Sequence, residues 1–92
     1  MNIGAAIKEL RKEKDISQKE LSSLTKISPT SLSLIETGAK QPSNRNLAKI
    51  AKALNTSISS IYLLAIEETD IPRSKQELFK VLFPSIKQLI IE

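Results

Sequence analysis

Neither cysteine nor histidine occurs in this chain of 92 residues. The two absences together remove disulfides, thiolate and imidazole metal ligands, Cys and Ser-His nucleophiles, and a pH switch near neutrality. Most familiar enzyme mechanisms go with them, and nothing that remains assembles a nucleophile, a base and oxyanion donors. No enzyme activity, cofactor or metal is expected. Long hydrophobic runs are missing as well: none approaches the roughly 20 residues of a membrane-spanning helix. Met1-Asn2-Ile3-Gly4 opens no signal-peptide hydrophobic region, so the expectation is a soluble cytoplasmic protein. Glycine numbers two and proline four, and Val, Ile and Thr show no period-two alternation. The chain therefore reads as all helical, punctuated by Ser, Asn and Pro.

What is present is unevenly distributed. The net charge is +4, but residues 1–56 carry ten Lys or Arg against five acids, whereas residues 57–92 carry four against five. A basic front joined to a near-neutral, apolar back fits a polyanion-binding module followed by a self-association segment. Charge alone fits a solvated lysine-rich surface equally well.

Five helices can be placed in the first 66 residues. The first runs from about Asn2 to Lys14, with Ile3, Ile7 and Leu10 on a buried stripe. Ser17-Gln18-Lys19-Glu20 is a capping box; it opens a short helix to Leu24 or Thr25 that is expected to bury Leu21 and Leu24. Ser28 caps a third helix with Pro29 at its first position and Gly38 just past its end. Its core face is Ile27, Leu32 and Ile35. Ser43 caps a fourth helix with Leu47, Ile50, Ala51 and Leu54 at helical spacing, and Ser57 caps a fifth with Ile58, Ile61 and Leu64 or Leu63 inward.

Residues 67–73 read as a linker, with Pro72 and several acids interrupting any helical pattern. Ser74-Lys75-Gln76-Glu77 reads as a second capping box, opening an amphipathic segment over residues 74–92 that Pro84 is expected to break or kink. The segment is too apolar for a solvated terminus. Phe79, Phe83, Ile86 and Ile90 are expected to pair with a second subunit, the alternative being that they fold back on their own core.

Two short helices joined by Thr25-Lys26-Ile27 have the spacing that presents a second helix to the DNA major groove. Helix pairs of this kind also occur in ordinary bundles. More specific is the ordered series Ile16-Ser17-Gln18-Lys19-Glu20-Leu21-Ser22, Ile27-Ser28, Ile35-Glu36-Thr37-Gly38 and Gln41-Pro42-Ser43, trailed by Leu47 to Leu54. This series resembles the Cro/CI-type (lambda-repressor-like, XRE) helix-turn-helix family over roughly residues 3–66. The resemblance implies an all-α, five-helix DNA-binding domain over 1–66, with the linker and the C-terminal helical extension outside it.

Carried over by position, the resemblance implies that Gln18 bonds a DNA phosphate and that Ser28, Pro29, Thr30, Ser33 and Leu34 face base edges. Family members often place Gln, Arg or Asn there, so direct readout is thin: single hydrogen bonds from Thr30 and Ser33, apolar contact from Pro29 and Leu34. Arg11 and Glu36 match a structural ion pair between the first and third helices. Lys40, Asn44 and Arg45 match a phosphate clamp at the start of the fourth helix, whose N-terminal dipole favours an anion. Lys19 can add a phosphate contact. Ser22 stands where a small Ala is usual and Lys26 where Gly is usual, so Lys26 is expected to need a left-handed backbone.

The function expected is a sequence-specific, double-stranded DNA-binding transcription regulator, a repressor acting as a homodimer on a near-palindromic operator. The alternative is an antitoxin or anti-regulator that acts mainly on a protein partner, which the thin base-reading face and an exposed Leu34 favour.

Overall fold

Asn2 starts the first helix by accepting the Ala5 N–H on its side-chain oxygen at 3.0 Å, and α1 runs Ile3–Glu13. The computed structural model describes residues 1–91, and it is helical and free of strands among them. Each later helix of the front domain is opened by a serine. Ser17 caps α2 (Gln18–Thr25) in a complete capping box, Ser28 caps α3 (Pro29–Thr37), Ser43 caps α4 (Asn44–Ala53) and Ser57 caps α5 (Ile58–Ala65). In every case the serine hydroxyl accepts a backbone N–H of the first turn, which is otherwise left without an intrahelical partner.

These helices close over one core. Ile7 and Leu10 of α1, Leu21 of α2, Leu32 and Ile35 of α3, Leu47 and Ile50 of α4 and Ile61 of α5 are fully buried, with Leu54 just beyond α4. On α5 it is Leu64 that turns inward, and Leu63 is exposed. The close approach of α1 to α3 depends on Gly4. A Cβ there would collide with the Ile35 carbonyl oxygen and crowd that of Glu36 at 2.9 Å.

On α2 the inward residues are Leu21 and Thr25, while Leu24 is 62% exposed, contrary to the expectation that Leu24 is buried. The i, i+4 pair faces the core and Leu24 is rotated about 100° away from Thr25 around the helix. Thr25 tolerates burial because its hydroxyl donates to the Leu21 carbonyl at 2.7 Å and accepts the Ile27 N–H at 3.2 Å.

Beyond α5 the chain is not a loose linker. A 3-10 turn at Glu68–Asp70 and another at Arg73–Lys75 lead into α6 (Gln76–Ile91). The Met1 ammonium is held by Asp70 at 2.7 Å and Glu67 at 3.2 Å. Ser74 caps nothing: it lies inside the 3-10 turn, where the Lys75 N–H donates to the Pro72 carbonyl at 2.8 Å. Nor does Pro84 end the helix, since α6 continues through it to Ile91.

α6 folds back on the domain. Ile90 and Ile91 pack against the core, Lys87 pairs with Glu9 at 2.7 Å and Lys80 with Glu68 at 3.2 Å. Phe79 and Phe83 stack with centroids 4.7 Å apart. Phe79, Phe83, Ile86 and Ile90 are all half-buried against their own chain, which alters the expectation that they are free for a second subunit. The apolar side left open is the other one: Leu78, Val81, Leu82 and Leu89 are exposed.

Candidate nucleic-acid interface

α2 and α3 form a helix-turn-helix whose turn is built by specific side chains. Lys26 adopts the left-handed conformation, φ 59° and ψ 22°, and its N–H donates to the Ser22 carbonyl. The Ser22 hydroxyl in turn donates to the Ile27 carbonyl at 2.6 Å. A serine at this position thereby ties the end of α2 to the start of the next helix, which an alanine cannot do.

Behind α3 lies a polar cluster. Arg11 Nε donates to Glu36 Oε2 at 2.8 Å, Nη2 to Oε1 at 3.0 Å, and Nη1 to the Ile16 carbonyl at 2.9 Å. The side chains are 11% and 3% exposed, so this is a buried, bidentate pair. Hydrogen bonding to Glu36 raises the Arg11 pKa above its ordinary value against the opposing effect of burial. Gln18 joins the cluster, its Nε2 donating to Glu36 Oε1 at 3.3 Å. Its amide is therefore oriented from within the protein rather than free in solvent, and one N–H and the carbonyl oxygen remain for a ligand.

In front, Ser28, Pro29, Thr30, Ser33 and Leu34 are all exposed, along the first turns and outer side of α3. The Ser28 hydroxyl oxygen accepts the Ser31 N–H at 3.1 Å, which leaves its O–H to donate. Thr30 and Ser33 hold the polar groups of this face that make no hydrogen bond within the described residues. Lys40, Asn44 and Arg45 are exposed in the loop after α3 and the first turn of α4. Ser43 occupies only the Asn46 N–H, at 3.1 Å, so the N–H groups of Asn44 and Arg45 point out of a helix start with a cation beside them. Lys19 is exposed on α2. Gly4, which sets how closely α3 sits against α1, was not singled out from the sequence. The available signal was a glycine inside an otherwise helical stretch.

A helix pair braced from behind by an ion pair, with an open polar face flanked by basic groups, defines a DNA-reading module. The helix-turn-helix family model matches residues 7–61, and the chain belongs to this family, in its Cro/CI-type branch. The competence pilus inhibition repressor of Acinetobacter baylyi is 38% identical over 71% of this chain and 59% of its own length. The ImmF control region 10 kDa protein of Bacillus phage phi105 is 37% identical over 71% of this chain and 72% of its own. The crystal structure of the clp gene regulator ClgR from Corynebacterium glutamicum superposes with a TM-score of 0.72 at 30% identity, covering 91% of this chain and 89% of that one. The chain matches less than two thirds of the length of the first of these relatives. Family and fold together make residues 7–61 a DNA-binding helix-turn-helix domain.

Proposed function

We propose that the chain is a sequence-specific repressor that binds a near-palindromic operator in double-stranded DNA as a homodimer, in the cytoplasm. The observation that carries this reading is the outer face of α3, where Thr30, Ser33 and Leu34 stand exposed on a helix fixed from behind by Arg11 and Glu36. Side chains on such a face reach base edges in the major groove, while Gln18, Lys19, Lys40, Asn44 and Arg45 meet phosphates on either side. The repressor role is supported by the name of the Acinetobacter relative, itself a repressor. Operator selection from a random pool, followed by binding at fixed salt, tests the reading. Thr30→Ala and Ser33→Ala are expected to lower the ratio of operator to random-duplex affinity, and Gln18→Ala and Arg45→Ala to lower both affinities alike. An unchanged ratio in the first pair sinks the assignment of the base-facing side.

Homodimerisation is supported by α6. Its outer side carries Leu78, Val81, Leu82 and Leu89 without a charged residue among them, and contiguous apolar surface of this kind marks interaction sites. A second copy covering it pairs two recognition helices for half-sites about one helical turn of DNA apart. Val81→Glu and Leu89→Glu leave the inward face of α6 intact and are expected to give a monomer in sedimentation, with weakened operator binding. A dimer that survives both substitutions removes this side of α6 as the interface.

A further inference from the structure

Between the C-terminal end of α2 and the outer side of α4 lies a cleft of about 520 Å³ lined by Leu24, Thr25, Lys26, Lys49, Lys52 and Ala53. It shares no residue with the base-facing or phosphate-facing sets. Three of its lining residues are lysines and none is acidic. Among the described residues none of the three lysines makes an ion pair. Leu24, 62% exposed, also belongs to an adjoining depression with Lys19, Glu20 and Ser23. The single acid there, Glu20, is committed to the Ser17 N–H at 3.1 Å.

Lys26 is one of three non-glycine residues with positive φ among the described residues, the others being Asp15 and Asn55. Its left-handed conformation closes the turn after α2 and fixes its backbone beside the cleft.

We propose that this cleft is a docking site for a protein partner, an acidic segment whose apolar side chain rests on Leu24 while its carboxylates meet Lys26, Lys49 and Lys52. The lysines by themselves suit any polyanion. The exposed leucine decides between them, because a phosphate backbone offers nothing apolar to cover it, whereas an acidic peptide with a leucine or phenylalanine complements both features. Since α3 is left free, the segment and DNA bind the same molecule together.

The test uses the full chain and a short fluorescent peptide in which two leucines one helical turn apart are flanked by aspartates, with a serine-for-leucine peptide as control. The expected result is saturable binding that falls about tenfold with the serine peptide, with Leu24→Ser, and with the Lys49→Gln, Lys52→Gln pair, while operator affinity changes by less than about threefold. Peptide binding that ignores the leucines or these substitutions overturns the proposal. So does a loss of random-duplex affinity in the lysine variant as large as that of Arg45→Ala, which makes the cleft a phosphate track. All three substitutions are at exposed positions, and a thermal melt of each variant confirms that it is folded.

Discussion

The Glu36 side chain is 3% exposed, and its carboxylate oxygens accept hydrogen bonds from the Arg11 guanidinium and the Gln18 amide. Removing one partner of such a pair leaves an uncompensated buried charge, at about 3–5 kcal/mol, whereas replacing both by apolar groups is far less damaging. Arg11→Met is accordingly expected to lower the urea unfolding free energy by that amount, and the Arg11→Met, Glu36→Leu double variant to recover most of it. Recovery of stability without recovery of DNA affinity is expected, since Gln18 then loses the acceptor that orients it. The atoms that a Cβ on Gly4 would meet are backbone carbonyls of α3, which no rotamer change can move aside. Gly4→Ala is expected to destabilise by about 3 kcal/mol despite alanine's better helix propensity, at the upper end of overpacking effects, as read in the same urea titration. Local chemistry at several of these residues was legible in the sequence: the serine caps, Pro29 and Gly38 each act through atoms of their own first turn or helix end. The close approach at Gly4 was not, because it depends on a backbone 31 positions away in the chain.

At the scale of the element, α6 carries the largest departure from sequence expectation. Pro84 lacks the N–H that would bond the Lys80 carbonyl, and its ring crowds that carbonyl, an interior penalty of about 3 kcal/mol in an unsupported helix. The helix continues nonetheless because both sides of the proline are anchored: Lys80 to Glu68 before it, and Lys87 to Glu9 with Ile90 on the core after it. Pro84→Ala is expected to slow amide exchange in α6 by an amount equivalent to about 2 kcal/mol of local stability, while core amides of α1 and α5 change little. Equal slowing throughout the molecule shows instead that α6 opens only with the whole domain. The sequence groups Phe79, Phe83, Ile86 and Ile90 on one side of α6 but leaves open whether that side meets a second subunit or its own core. The packing of Ile90 on the core and the Glu9 partner for Lys87 decide it. The same ambiguity applies to Leu24, which has leucine's hydrophobicity but a helical phase that carries it onto the surface.

For the molecule as a whole, charge ties the N-terminus to the segment after α5 and governs the encounter with DNA. The Met1 ammonium holds the Asp70 carboxyl below its ordinary range, aided by the Glu67 N–H, and Asp70 in turn raises the pKa of the ammonium. A depressed carboxyl contributes stability above its unfolded pKa and loses it as pH falls through the folded value. A raised ammonium contributes below its unfolded pKa and loses it as pH rises through the folded one. The staple is therefore complete between about pH 4 and pH 8. In a chain with a free Met1 amino group, the Tm difference between the parent and Asp70→Asn is expected to be largest in that window and to shrink on both sides. For DNA, Arg45→Ala is expected to flatten the slope of log affinity against log salt by about 1 per bound subunit, and Thr30→Ala to leave it unchanged. Caps, turn residues and short-range periodicity act within a turn or two of chain, and so the all-helical class, the starts of α1 to α5, the helix-turn-helix and its family were legible in the sequence. Packing across the domain makes α6 fold back, draws Gln18 toward Glu36, leaves Leu24 exposed and opens a lysine-lined cleft beside it. Those outcomes depend on which faces compete for one small core, and that competition is settled between residues far apart in the chain.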